Sequence, residues 1–336
     1  MERPTIKDVA RRAKVSLGSV SRVLNNFPDV NPAIRKKVGK AIADLDYTPN
    51  AMARSMRNGA TGMVGVLVRN IVIPSLASFV RAIQDELLDA GYVPLIACSD
   101  NHKDREIALL GLFAQRRMEG VIMLSASDRD PDLVGARADL SVPVVLFDRA
   151  VPEDRDCVLV DHRRGLQEAT AYLLGMGHKR IALVTGPRGV YPTTERLAGY
   201  RAAYATAGLR PDPGLIVTRS FEDEVTRATV AELIARKDRP TAIIMGGTTT
   251  LPGAIEAIKQ KGLVIPKDIS LIGAINSDLS ALANPPVTVI HWDYEAIGRA
   301  AAQLLLQRIA NPQRAPQRQT FPTQVIFRES CIPPHR

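Results

Sequence analysis

The 336-residue sequence is poor in the residues that mark several large protein classes. Aromatic residues make up 4%, with one tryptophan, Trp292. The three cysteines, Cys98, Cys157 and Cys331, are far apart and never in CxxC spacing. Reduced thiols are therefore expected, not a disulfide frame. The five histidines are equally scattered, with no HExxH and no Cys/His cluster, so neither metal nor cofactor is expected. No apolar run approaches the roughly 18 residues that mark a bilayer-spanning helix. The start Met1-Glu2-Arg3-Pro4-Thr5 lacks the apolar stretch of a signal peptide, which points to the cytoplasm. GxGxxG, Walker and GxSxG loops are missing as well. Asp161-His162 comes nearest to a catalytic pair, and it reads better as a structural strand end. An enzyme is not expected.

Hydrophobic residues reach 46% and charged ones 24%, enough for sizeable cores in two or three domains. The formal net charge of +9 is uneven. Residues 1–60 hold 12 basic and 5 acidic side chains, whereas the remaining 276 hold 32 and 30. A small basic head on a nearly neutral body points to nucleic acid as the head's partner.

Residues 5–47 carry helical signals only. Thr5 and Asp8 form a capping pair ahead of Val9, Ala10 and Ala13. Ser16 can cap a second helix bearing Val20, Val23 and Leu24. Asn31-Pro32 opens a third with Ile34, Val38, Ile42 and Leu45. A polar stretch and the joint Asn58-Gly59-Ala60-Thr61-Gly62 follow. From Met63 onward, short apolar runs alternate with amphipathic stretches, and the alternation restarts after Val158–Val160. This predicts α/β architecture: an all-α head plus two doubly wound parallel-sheet lobes with a ligand cleft at the strands' carboxyl ends. The expected boundaries are 1–49 for the head and 50–62 for a hinge and linker. The body is 63–332, its lobes being about 63–162 plus 291–320, and 163–290 plus 321–332.

The first two helices, joined by a short turn, make a helix-turn-helix. Leu17 with Ser21, and Gly18 with Arg22, stand four apart and share one face suited to the major groove. Arg22 can reach guanine with both arms of its fork, while Ser16, Ser19 and Ser21 suit phosphates. A helical protein-docking domain with a solvated basic face is the competing reading.

Thr5–Asn25, with Val20-Ser21-Arg22-Val23-Leu24-Asn25, resembles the helix-turn-helix of the LacI/GalR family of bacterial repressors. So does Asp46–Arg57, which is similar to that family's hinge. Gly177–Ala182, Glu195–Tyr200 and Pro285–Val289 extend the resemblance over roughly residues 5–330. It implies a transcription regulator, most simply a repressor, that binds a pseudo-palindromic double-stranded operator as a homodimer and answers to a small effector. By that resemblance the DNA-contacting set is Thr5, Ser16, Leu17, Gly18, Ser19, Ser21, Arg22, Asn25, Asn31, Asn50, Ala53, Arg54 and Met56. Met56 stands where the family wedges a leucine into the minor groove. Lys14 replaces the usual turn glycine.

The body is similar to periplasmic sugar-binding proteins. Matched positions place Ile73, Ser75, Asp148, Arg196, Phe221, Gly247, Thr248 and Ile275 around an effector. Structural roles compete for three of them: Arg196 as an interlobe ion pair, Phe221 as core, Asp148 as a loop or cap residue. Ile73-Pro74-Ser75-Leu76, Gly247-Thr248 and Ala274-Ile275-Asn276 depart from the sugar-binding pattern. They remove acidic or amide groups and two aromatics while Arg196 stays. An anionic or less hydroxylated effector is expected, such as a sugar acid or other small carboxylate. The alternative is a cytoplasmic binding protein or enzyme of the same two-lobed fold, and no membrane partner is expected.

Overall fold

The computed structural model describes residues 4–24, 27–47, 61–150, 155–219 and 223–335. It divides into two compact units, residues 1–61 and 62–336. No helix among the described residues is long and apolar enough to cross a membrane.

The first unit holds α1 (Ile6–Ala13), α2 (Leu17–Leu24) and α3 (Pro32–Asp44). Val9, Ala10, Ala13, Val20, Val23, Val38 and Ala41 form its small core. Local chemistry sets the helix ends. The Thr5 N–H and hydroxyl both donate to Asp8, at 2.9 and 2.6 Å. Ser16 Oγ accepts from the Ser19 N–H at 3.1 Å, and Asn31 Oδ1 accepts from the Ala33 N–H at 2.8 Å. Between α1 and α2, Lys14 adopts φ 54° and ψ 48°, so a side chain with a Cβ occupies the left-handed turn that glycine would hold freely.

The second unit runs β1 (Met63–Val68), α4 (Pro74–Asp89), β2 (Val93–Cys98), α5 (Lys103–Gln115), β3 (Gly120–Met123), α6 (Pro131–Ala138), β4 (Val144–Phe147) and β5 (Asp156–Val160). It continues through α7 (His162–Gly175), β6 (Ile181–Thr185), α8 (Tyr191–Thr206), β7 (Ile216–Thr218), α9 (Asp223–Ile234), β8 (Ala242–Met245), α10 (Leu251–Gln260) and β9 (Ser270–Ala274). Then come α11 (Asp278–Leu282), β10 (Thr288–His291), α12 (Tyr294–Ala310), β11 (Arg318–Phe321) and β12 (Gln324–Ile326). One six-stranded sheet has the order β2-β1-β3-β4-β5-β11, and the other β7-β6-β8-β9-β10-β12. All neighbours are parallel except β12 against β10.

The chain passes from the first sheet to the second after β5, returns after β10 with α12, and passes again between β11 and β12. Buried runs such as Ile181–Thr185 and Ala242–Met245 are apolar on both faces because helices cover both sides. Two helix pairs fix the geometry near the cleft. A Cβ at Gly199 would lie 2.1 Å from the Arg163 carbonyl oxygen, so α8 crosses α7 at backbone contact. Gly298 does the same for α12, where a Cβ would meet the Phe79 carbonyl at 2.5 Å.

Candidate effector cleft and helix-turn-helix face

The carboxyl ends of both sheets converge on a cluster of charged side chains. Asp148 directly follows β4 and adopts φ 53°; its N–H donates to the Val158 carbonyl at 2.8 Å. His162 is the first residue of α7, set in place by Asp161, whose side chain accepts from the Arg164 N–H. Arg196 lies on α8 and reaches His162 because of the close α7–α8 crossing. Asp148, His162 and Arg196 are all buried.

Their order is fixed by what each can donate. Arg196 Nη2 lies 3.4 Å from His162 Nδ1. A guanidinium only donates, so Nδ1 is the acceptor and Nε2 carries the proton. That proton goes to Asp148, whose oxygens lie 2.9 and 3.0 Å away. Burial pushes the His162 pKa down, a trend that Arg196 reinforces and Asp148 opposes. Burial alone would raise the Asp148 pKa, but His162, Arg196 and Arg149 together carry it below the usual range. The relay is thus carboxylate, neutral imidazole, guanidinium. Burial brings the Arg196 pKa down to about 10, still cationic at neutral pH.

More charge surrounds this relay. Arg149 donates to the Asp148 carbonyl at 2.8 Å and stands 3.4 Å from Asp128. Asp128 in turn accepts from the Tyr191 N–H, the first residue of α8 in the other lobe, at 2.7 Å. The amino end of α8 has no side-chain cap from its own lobe, so Asp128 supplies one across the cleft. The Tyr191 hydroxyl donates to the Val160 carbonyl at 3.2 Å, and its ring packs on the core under the first sheet. Arg69, at the end of β1, spans the lobes to Thr248 Oγ1 at 3.3 Å.

Aromatic surface comes from the second crossover. Trp292 meets His162 edge-on at 5.1 Å and lies 6.0 Å under the Arg196 guanidinium. Tyr294 packs against Trp292 and Phe147. The aromatic faces missing from the sequence pattern are therefore partly replaced from 292–294. Beside them a cavity of about 160 Å³ is lined by Ser75, Ile275, His291, Trp292 and Tyr294, with exposed Asp293 and Glu295 at its solvent side. Ser75 Oγ and His291 Nδ1 are buried there without a protein hydrogen-bond partner.

The structure brings together Ser75, Asp148, Arg196, Thr248 and Ile275. Ile275, with φ 72°, is buried at the end of β9. Ile73 is half-buried as the residue before α4, packed on the core. Gly247 is buried, its carbonyl accepting from the Thr250 hydroxyl at 2.7 Å. Phe221 lies outside the described residues. Sequence reasoning missed Arg69, Asp128, Tyr191 and Trp292, and it gave His162 only a structural role. The signal available for His162 was its place immediately after a strand's carboxyl end, where ligands of such sheets bind.

On the head, Ser16, Leu17, Gly18 and Arg22 are exposed on α2, with Ser19 and Ser21 half-buried beside them. Arg22 Nη2 donates to Asp29 Oδ2, and its guanidinium carbon stands 5.6 Å from the Phe27 ring centroid. Thr5 and Asn31 are engaged as helix caps. Asn25, Asn50, Ala53, Arg54 and Met56 lie outside the described residues.

Comparison with known proteins agrees with this layout. Residues 5–50 match the family described as bacterial regulatory proteins, lacI family, and residues 170–331 match the periplasmic binding protein-like domain. The ribose operon repressor of Escherichia coli K12 is 34% identical over 316 residues, covering 94% of this chain and 96% of that protein. A solved complex of the transcriptional regulator CelR with cellobiose is 31% identical, covers 98% of this chain and all of that one, and superposes with a TM-score of 0.75. A lac repressor dimer bound to operator and the anti-inducer ONPF shares the fold, with a TM-score of 0.86 at 24% identity over 98% of this chain and all of that one.

Proposed function

The chain belongs to the lacI family of bacterial regulatory proteins, and from that premise we propose that it is a repressor whose operator affinity is set by a small carboxylate held between its lobes. It acts as a homodimer on a pseudo-palindromic operator in the cytoplasm, associated with the nucleoid when on DNA. Two heads related by a two-fold axis suit two half-sites. β2 is an edge strand with its outer side open, and it exposes Val93 and Ile96, so a second copy could add at this edge.

One observation carries the effector class. The cleft gathers three guanidinium groups, Arg69, Arg149 and Arg196, against two carboxylates, Asp128 and Asp148, with His162 neutral between them. A small carboxylate would bring paired acceptors for the planar fork of Arg196, the group these three cations are best suited to hold. A hydroxylated acid would also engage Ser75 and His291 and lay an apolar face on Trp292. Effector binding shifts lobe closure and thereby the hinge, a coupling typically worth about 1–3 kcal/mol.

Titration calorimetry of the full chain with sugar acids, other small carboxylates, neutral sugars and nucleosides tests the reading. Binding of an acid, weakened at least tenfold in Arg196→Lys, supports it. Tight binding of a neutral sugar with no response to acids overturns it.

A further inference from the structure

Arg22, the side chain best suited to read a base, is already occupied in the free head. Its Nη2 donates to the Asp29 carboxylate, and its guanidinium stands against the Phe27 ring. The loop leading to Asp29 is tied down at Phe27, whose N–H donates to the Arg22 carbonyl at 3.1 Å and whose carbonyl accepts from Arg35 Nη2 at 2.8 Å. Arg22 holds the Asp29 carboxyl below its usual range. Arg22 is the only charged residue on α2, so no second carboxylate of that helix competes for it.

We infer that Asp29 reserves Arg22 for base reading by keeping its guanidinium away from phosphates until a base edge competes for it. This rests on the reading of the head as an operator binder. A phosphate oxygen offers Arg22 much what Asp29 already gives, one anionic acceptor in water, so on arbitrary DNA there is little reason to exchange. Guanine offers two acceptors matched to the fork, in a groove that excludes much of the solvent. Arg22 therefore exchanges partners where the sequence is right and stays with Asp29 elsewhere.

Salt dependence distinguishes the two states, because each phosphate neutralised steepens the slope of log affinity against log salt by about 0.9. The probes are a duplex that the full-length protein selects from a random-sequence pool and a scrambled duplex of equal length. In the otherwise wild-type chain, Arg22→Ala should weaken the selected duplex at least tenfold and leave the slope on the scrambled duplex unchanged. Asp29→Asn should steepen the scrambled-duplex slope by about 0.9 per head, and Arg22→Ala in that background should remove the increment. Asp29→Glu, which keeps the carboxylate, should behave as wild type. If Arg22→Ala flattens the scrambled-duplex slope equally in both backgrounds, Arg22 already binds phosphates and the inference fails. It fails too if the steepening survives in the double variant, since removal of negative charge alone then explains it. Undiminished binding of the selected duplex by Arg22→Ala would instead remove base reading by Arg22, the premise itself.

Discussion

Asp148 and Ile275 occupy equivalent points in the two lobes. Each follows the fourth strand of its sheet in chain order, each has a left-handed φ (53° and 72°), and each donates its N–H to the strand beside it. Asp148 gives its bond to Val158 at 2.8 Å and Ile275 to Ile290 at 2.7 Å. The backbone turns outward at both places and aims one side chain at the cleft from either side. An aspartate tolerates that conformation; a β-branched isoleucine is strained by it.

Ile275→Asn should therefore cost little. Placing an amide at a buried site commonly costs about 1–3 kcal/mol, but relief of a strained φ returns about 1–2 kcal/mol. Urea unfolding should show a loss of no more than about 2 kcal/mol. Ile272→Ala, in the adjoining strand with ordinary backbone, should lose about 2–5 kcal/mol.

Acid should weaken the body in a way that His162 makes visible. Burial lowers its folded pKa, so the unfolded chain binds the proton more readily. Stability contributed this way is full above the unfolded value, about 6.5, and falls as pH drops below it. His178 and His291 shift in the same direction. His162→Gln should thus reduce, not abolish, the pH dependence of the urea midpoint between about pH 5 and 6.5, by at most one proton's worth, about 1.4 kcal/mol per pH unit. An unchanged slope would show that His162 does not titrate in folding.

The interlobe cap should be expensive to break from one side. Asp128→Ala leaves Arg149 buried without its carboxylate and should cost about 3–5 kcal/mol. Tyr191→Phe removes only the hydroxyl donated to Val160 and should cost about 1 kcal/mol. Small-angle scattering should report a more open body for Asp128→Ala than for Tyr191→Phe.

Lys14→Gly should stabilise the head. The left-handed turn penalises a residue with a Cβ by about 1–2 kcal/mol, and the extra freedom of glycine in the unfolded chain returns about 0.4–1 kcal/mol of that. Slower hydrogen exchange at the Val9, Val20 and Val38 amides of the full chain would register the net gain.

How far the sequence could be read depended on how much of each element is buried. β1 at Met63–Val68 and α12 at Tyr294–Ala310 carry apolar runs or stripes that face a core, and such patterns are legible in the chain itself. β11 is an edge strand whose Arg318, Gln319 and Thr320 are exposed, so it has no buried face to leave a pattern. β12 is three residues long. The site divides in the same way. Asp148 and Arg196 were found at matched positions of a familiar pattern. Trp292 and Asp128 enter the cleft from stretches more than 150 residues apart in the chain, brought together by crossovers that no local spacing records.

The third passage between the lobes makes the end of the chain matter to both. Phe321 closes one edge of the first sheet, and five residues later Ile326 ends the strand that closes the second. During synthesis neither lobe can be completed before these last strands leave the ribosome, although most of both cores has already been made. A stop codon near residue 315 would therefore not trim a tail. It would strip an edge strand from each sheet at once, exposing β5 in one lobe and β10 in the other in a chain otherwise nearly whole.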